Sequence, residues 1–180
     1  MATWIALLRG INVLGRKVVS MKALSAALER DGLQKVRTYI QSGNVVFQSS
    51  RGTPKTLAQR IGKVVMDSHG FQPRVLVLSS EDLMRAAAGN PFSKAETAPT
   101  TLHLFFLASS PRTPDLEPLR RLKSGREAFE LHGRVFYLYT PDGFAVSRVR
   151  DRIERCLGVD ATARNWRTVG RLIEMVRQGE

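Results

Sequence analysis

Four short polar segments of the chain carry side chains that can hold an anion. They contain Arg, Asn, Gln and Ser but no Asp, Glu, His or Cys, so they offer hydrogen-bond donors without an acid–base pair. Such donors suit a phosphate or a carboxylate group. The segments are residues 9–12, 39–44, 90–92 and 164–167.

We predict that these segments converge on one anionic small molecule. Arg9, Arg164 and Arg167 would supply the charge, and the amides and the serine would orient the ligand. Each residue also has an ordinary structural explanation, since an arginine can pair with a carboxylate and a loop asparagine often bonds its own backbone. The predicted ligand-binding residues are Arg9, Asn12, Lys17, Gln41, Ser42, Asn44, Asn90, Arg164, Asn165 and Arg167.

Whether the site catalyses a reaction is left open by the sequence. Lys17 and Tyr39 are the proton-transfer groups beside the segments, and a lysine would need strong desolvation to act near neutral pH. Ser42 precedes Gly43 in a hairpin pattern and not in a strand-to-helix elbow. The chain has neither a Walker loop nor a dinucleotide fingerprint, so no cofactor is predicted. The three histidines are far apart in sequence, so no metal site is predicted.

The elements that must position the first two segments follow the order βαββαβ. Ser20 and Gly32 bound one helix, and Thr53 with Pro54 begins a second that Gly70 ends. Apolar runs predict strands at residues 4–8, 36–40, 45–48 and 74–78, the middle two joined by a turn in which Gly43 can adopt positive φ. This order is that of a ferredoxin-like unit.

The same order returns after a short helix at residues 79–88 and a loop that continues to Pro99. Strands are predicted at residues 102–107, 128–131, 135–139 and 161–163, with a helix at 116–122 and a terminal helix from Trp166. Ser147 is predicted to cap a further helix that ends at Gly158. We therefore predict an α+β fold of two ferredoxin-like halves with mainly antiparallel sheets. The lobes are residues 1–89, including the linker helix, and 90–180, including the terminal helix.

Composition limits the function classes. No apolar run is long enough to span a bilayer and no signal-peptide pattern is present, so we predict a cytoplasmic protein without a membrane partner. The single cysteine, Cys156, cannot form an internal disulfide. Net charge is +12, and the basic residues are scattered along the chain with no run longer than two. Oligomeric state cannot be predicted.

Two other functions remain open besides anion binding. The basic surface could associate with nucleic acid without sequence preference, which predicts an affinity that falls steeply with added salt. An open sheet face or edge could instead pair with a partner chain in a protein–protein interaction module. The three hypotheses differ in whether the four segments form one concavity or a flat apolar patch.

The segments at residues 7–13, 37–45, 90–92 and 163–168 closely resemble a bacterial family known as domain of unknown function 1697. The resemblance implies an α+β fold of two ferredoxin-like halves, and it brings no established activity. The family's first loop typically reads Asn-Val-Gly-Gly, whereas this chain has Leu14 before Gly15.

Overall fold

Eight strands build two four-stranded antiparallel sheets. The computed structural model describes residues 1–179. Contacts within the chain divide it into a first unit, which contains residues 1–85 and the chain from Arg171 on, and a second unit, Ala86–Gly170. The lobe boundary predicted between residues 89 and 90 remains a proposal.

The first unit has the strand order β2-β3-β1-β4, and every neighbouring pair is antiparallel. The linker helix α3 follows its last strand. The elements are β1 Ala2–Arg9, α1 Met21–Arg30, β2 Gln34–Tyr39, β3 Asn44–Ser49, α2 Pro54–His69, β4 Arg74–Ser79 and α3 Ser80–Ala88.

The second unit repeats this order as β6-β7-β5-β8, again fully antiparallel. Short 3-10 helices occupy Ser93–Thr97 and Phe144–Val146. The other elements are β5 Leu102–Leu107, α4 Glu117–Leu122, β6 Ala128–His132, β7 Val135–Tyr139, α5 Ile153–Leu157, β8 Ala161–Asn165 and α6 Trp166–Arg177. Two ferredoxin-like halves are thus confirmed.

Local signals set the helix ends in the first unit. The Ser20 hydroxyl accepts a hydrogen bond from the Ala23 amide, and Thr53 and Thr56 form a reciprocal capping box before α2. Pro54 occupies the first turn of α2, and Gly70 ends it with a φ of +75°. These predicted caps are confirmed.

One face of each sheet packs against helices to form a hydrophobic core. In the first unit, β1 and β3 contribute Ala6, Leu8, Val45 and Phe47, which pack with residues of α1 and α2. In the second unit, β5 and β7 contribute alternate residues to a core shared with α4 and α5. The pleat therefore turns Arg9 and Asn44 to the face opposite the helices of the first unit.

The helix predicted from Ser147 was wrong at its start. Ser147 has an extended backbone with φ −67° and ψ 126°, and its buried hydroxyl has no protein hydrogen-bond partner. Helix α5 begins only at Ile153, and the 3-10 turn before Ser147 stacks Phe144 on His103, with ring centroids 3.7 Å apart. The predicted loop before Pro99 likewise contains the 3-10 helix Ser93–Thr97.

No helix among residues 1–179 is long and apolar enough to cross a membrane.

Candidate functional site

Two arginines face each other at one end of the first sheet. Arg9, the last residue of β1, pairs directly with Arg74, the first residue of β4. Directly opposite residues project to the same face, and this is the face away from α1 and α2. Arg9 is half-buried and Arg74 is exposed. The fold therefore concentrates two guanidinium groups within one cross-strand pair.

The β2–β3 turn lies against the same end of β1. The Leu8 amide donates to the Gly43 carbonyl at 2.8 Å, which continues the ladder one step beyond the Leu7–Asn44 pair. Gly43 has a φ of +80°, and a Cβ there would lie 2.7 Å from the Leu8 Cβ. Only glycine allows this approach, which carries Ser42 to the end of β1 where Arg9 lies. We call Arg9, Ser42 and Arg74 the cationic sheet end.

Asn12 fastens the first loop to the turn. Its side-chain amide donates to the carbonyls of Val19 at 3.0 Å and Gln41 at 2.7 Å, and its side-chain oxygen accepts from the Val19 amide at 2.8 Å. The backbone of Asn12 is left-handed, with a φ of +54°. These bonds use both polar atoms of the side chain, so Asn12 positions the loop and the turn.

Asn44 lies inside the hairpin. It has no accessible surface, and its amide nitrogen donates to the Tyr39 carbonyl at 3.1 Å and to the Ser42 hydroxyl at 2.9 Å. Because a fully buried side chain cannot touch a ligand, Asn44 can support the turn through Ser42 but cannot itself contact a bound molecule. Ser42 itself is exposed.

Gln41 lines a cleft of about 740 Å³ between α1, β2 and the end of α6. Lys22, Arg37 and Arg171 also line it, against one acid, Glu29. Arg37 donates to the backbone carbonyl of Met175, so part of this charge holds the end of α6 against β2.

Lys17 is exposed in the first loop. Its ammonium lies 5.6 Å from the centre of the Phe71 ring, a cation–π distance.

The other four predicted residues belong to the second unit. The Asn90 side chain bonds Glu96 at 2.9 Å and the Phe92 amide at 2.9 Å, which is a local turn. Asn165 accepts from the Thr168 amide at 2.9 Å and so caps α6. Arg167 is exposed.

Arg164 and Asn165 project to opposite faces of the second sheet, because they are successive residues of β8. Arg164 pairs with Leu104, and Asn165 pairs with His103. Burial lowers the pKa of Arg164 to about 10, and its guanidinium donates to the Ala163 carbonyl at 2.8 Å. The two neighbours therefore do not act on the same face.

Sequence reasoning missed Arg74. The residue starts a predicted strand and carried no motif, yet the predicted ferredoxin-like order already implied its position. In that order the first and last strands are antiparallel neighbours, so the end of β1 must meet the start of β4. The strand order alone therefore placed Arg74 near the end of β1, and the register of β1 with β4 pairs it with Arg9.

A second unpredicted group surrounds Phe144. His103 stacks on this ring, and the Arg150 guanidinium lies 5.3 Å from the ring centre. His103 is 9% exposed, and its Nδ1 has no protein hydrogen-bond partner. Burial first, and the positive charge of Arg150 second, lower the pKa of His103 to about 4. The imidazole is therefore neutral at physiological pH.

Carboxylates are scarce in the interior. Among the buried polar residues of the described chain, the only acid is Glu127 in the second unit, which accepts from the Ser124 amide at 2.8 Å. Within residues 1–179, no three His, Cys, Asp or Glu side chains lie together as metal ligands.

Comparison with known proteins places the chain in a family. No curated protein matches it. Among solved structures, it is similar to the conserved bacterial protein SP0830 from Streptococcus pneumoniae. The TM-score is 0.70 at 21% identity, with 97% of this chain and 98% of that chain covered, which shows a shared fold. The family model described as "Protein of unknown function (DUF1697)" matches residues 1–137. With about three quarters of its length matched, this chain belongs to the DUF1697 family.

Proposed function

We propose that the first unit binds a small molecule through a phosphate or carboxylate group at the cationic sheet end. The observation that carries this proposal is the cross-strand pairing of Arg9 with Arg74. Arginine stays protonated at physiological pH, and two guanidinium forks on one face can together hold a planar or tetrahedral anion.

The surroundings of the pair support an anionic ligand. The first acidic residue of the chain is Glu29, so β1 and the loop that follows it carry no carboxylate side chain. Ser42 adds an exposed hydroxyl, and the turn that carries it is held by Asn12 and Asn44. Support from bonded neighbours is what keeps a binding group in one geometry.

The proposal assigns separate roles to the predicted residues. Arg9 and Ser42 contact the anion together with Arg74, whereas Asn12 and Asn44 hold the turn. Gln41 and Lys17 lie on the segments that flank the cationic sheet end. Contributions of Asn90, Arg164, Asn165 and Arg167 remain predictions that the same assay can test with single alanine variants.

The test is anion binding by wild type, Arg9→Ala and Arg74→Ala. Inorganic phosphate, pyrophosphate and citrate serve as first probes in calorimetry and thermal-shift experiments, followed by nucleotides, sugar phosphates and coenzymes. A charge-assisted hydrogen bond contributes about 1.5–3 kcal/mol, so each alanine variant is expected to weaken binding by roughly 10- to 150-fold.

Arg51→Ala is the matched control. Arg51 is exposed and lies two residues after Ser49, which pairs with Ala2 at the opposite end of the same sheet. The substitution Arg51→Ala removes one positive charge from the same unit. It should leave the dissociation constant for the anion within about two-fold of the wild-type value, since exposed distant charges are screened. Unchanged anion affinity in both Arg9→Ala and Arg74→Ala would show that the anion binds elsewhere. If no anion binds to or stabilises the wild-type protein, the proposal is rejected.

A further inference from the structure

Backbone strain is concentrated in two connected segments of the first unit. Among residues 1–179, five non-glycine residues have positive φ, and four of them lie in the first loop or the β2–β3 turn. They are Asn12 at +54°, Leu14 at +49°, Lys17 at +50° and Ile40 at +47°. A β-branched residue such as Ile40 is a genuine outlier in this region. Such strain collects at ligand-binding segments and must be offset by neighbouring contacts.

The same segments expose large apolar side chains. Val13 is 55% exposed, Leu14 95%, Val18 64% and Ile40 52%. We call these four residues the apolar rim. Single exposed apolar residues need no explanation, but these four lie on two segments that a hydrogen bond joins, and each exposes apolar area to water at a free-energy cost.

Hydrogen bonds attach the apolar rim to the cationic sheet end. Asn12 donates to the Gln41 carbonyl, which joins the first loop to the turn that carries Ile40 and Ser42. The backbone amide of Asn12 also donates to the Lys17 carbonyl at 3.1 Å. An isolated β-bridge between Val13 and Arg16 folds the tip of the loop. The loop begins directly after Arg9. Apolar and cationic groups thus share one scaffold.

The loop itself has no charge that would repel an anion. Its charged side chains are Arg16 and Lys17, both exposed and both positive. A ligand that covers the rim therefore meets apolar surface and positive charge together. This combination matches a molecule with an anionic end and an apolar or aromatic body.

We infer that the anion bound at the cationic sheet end belongs to a ligand whose apolar or aromatic body packs on Val13, Leu14, Val18 and Ile40. The inference rests on the proposed function, because it names the ligand class for that site. It predicts that the anionic group alone binds weakly and that the attached body adds affinity by burying rim side chains.

The experiment compares inorganic phosphate with phenyl phosphate by calorimetry. Wild type is expected to bind phenyl phosphate roughly ten-fold or more tightly than phosphate, the ratio expected for burying one aromatic ring partly. In the double variant Leu14→Ser, Val18→Ser, this preference should fall below about three-fold while phosphate affinity is kept. Arg9→Ala should weaken both ligands together.

Val146→Ser is the matched control, since Val146 is 71% exposed but lies in the second unit. It should keep the preference for phenyl phosphate. A second measurement is amide NMR, in which phenyl phosphate should shift residues 13–18 and 40 and phosphate should not. This readout needs no variant.

The outcomes separate the two proposals. Equal affinity for phosphate and phenyl phosphate, both lost in Arg9→Ala, would overturn the inference and leave anion binding intact. If neither phosphate nor phenyl phosphate binds, both the proposed function and this inference are overturned. A third outcome is that the wild type shows no preference for phenyl phosphate and sediments as a dimer, whereas the double variant sediments as a monomer. The rim would then be a contact between two copies of this chain, and the inference would fall.

Discussion

At the scale of single residues, His103 gives the protein a measurable acid sensitivity. Its pKa in the folded protein is about 4, because burial and Arg150 disfavour the charged ring, against an ordinary value of 6.5. Between these two pH values the unfolded state binds more protons than the folded state. The contribution of His103 to the free energy of unfolding therefore falls as the pH drops from 6.5 towards 4. The complete effect is about 3 kcal/mol, taken at about 1.4 kcal/mol per unit of pKa shift.

His103→Phe tests this at residue scale, since phenylalanine keeps a ring against Phe144 and cannot titrate. Urea unfolding at several pH values should show the variant gaining stability relative to wild type as the pH falls through that window. His132→Phe is the control, because His132 is exposed and lies 2.8 Å from Glu130. Parallel pH profiles for wild type and His103→Phe would contradict the assignment.

At the scale of elements, the β2–β3 hairpin depends on one glycine. An alanine at position 43 would need positive φ and would place its Cβ 2.7 Å from the Leu8 Cβ and 3.0 Å from the Ile11 Cδ1. Conformational cost and overpacking together predict a loss of about 2–4 kcal/mol in unfolding free energy. Chemical denaturation of Gly43→Ala measures it. Anion binding should weaken too, because the turn positions Ser42.

Gly133→Ala in the β6–β7 turn is the comparison. Gly133 also has positive φ, +56°, but an added Cβ would meet no atom within 4 Å. Only the backbone cost of about 1 kcal/mol is expected there. A loss at position 43 no larger than the loss at position 133 would show that the close approach to β1 does not limit the hairpin.

At the scale of the whole molecule, the net charge of +12 predicts weak binding to any polyanion. We expect duplex DNA to bind at low salt without sequence preference, with an affinity that falls steeply as salt is added. Arg9→Ala and Arg51→Ala should reduce this binding equally, each changing the salt slope by about one unit or less. Fluorescence anisotropy with two unrelated duplexes measures both quantities.

This result would also separate the two anion-binding hypotheses. A specific small-molecule site predicts that Arg9→Ala is far more damaging than Arg51→Ala for phosphate, and equal to it for DNA. DNA binding that persists at high salt and disappears in Arg9→Ala would favour nucleic acid as the ligand of the cationic sheet end.

Local sequence determined the elements of this protein and their order. The β5 and β7 ranges were predicted at Leu102–Leu107 and Val135–Tyr139, and Ser20, Thr53 and Gly70 marked helix ends, because periodicity, caps and left-handed glycines act within a few residues. The repeated βαββαβ order then led to the fold. The cap predicted at Ser147 was wrong: its hydroxyl is buried without a hydrogen-bond partner in the protein, and α5 begins at Ile153, because tertiary packing can override a local cap signal.

Only the tertiary structure decided which polar residues meet. Arg9 and Arg74 are 65 positions apart in the sequence and become neighbours through strand register, which burial of one sheet face imposes. The same register buries Asn44, and the pleat separates Arg164 from Asn165 although they are adjacent in the chain. A polar segment shows that donors exist, but their direction depends on which face of the sheet the core occupies, and that is a property of the folded chain.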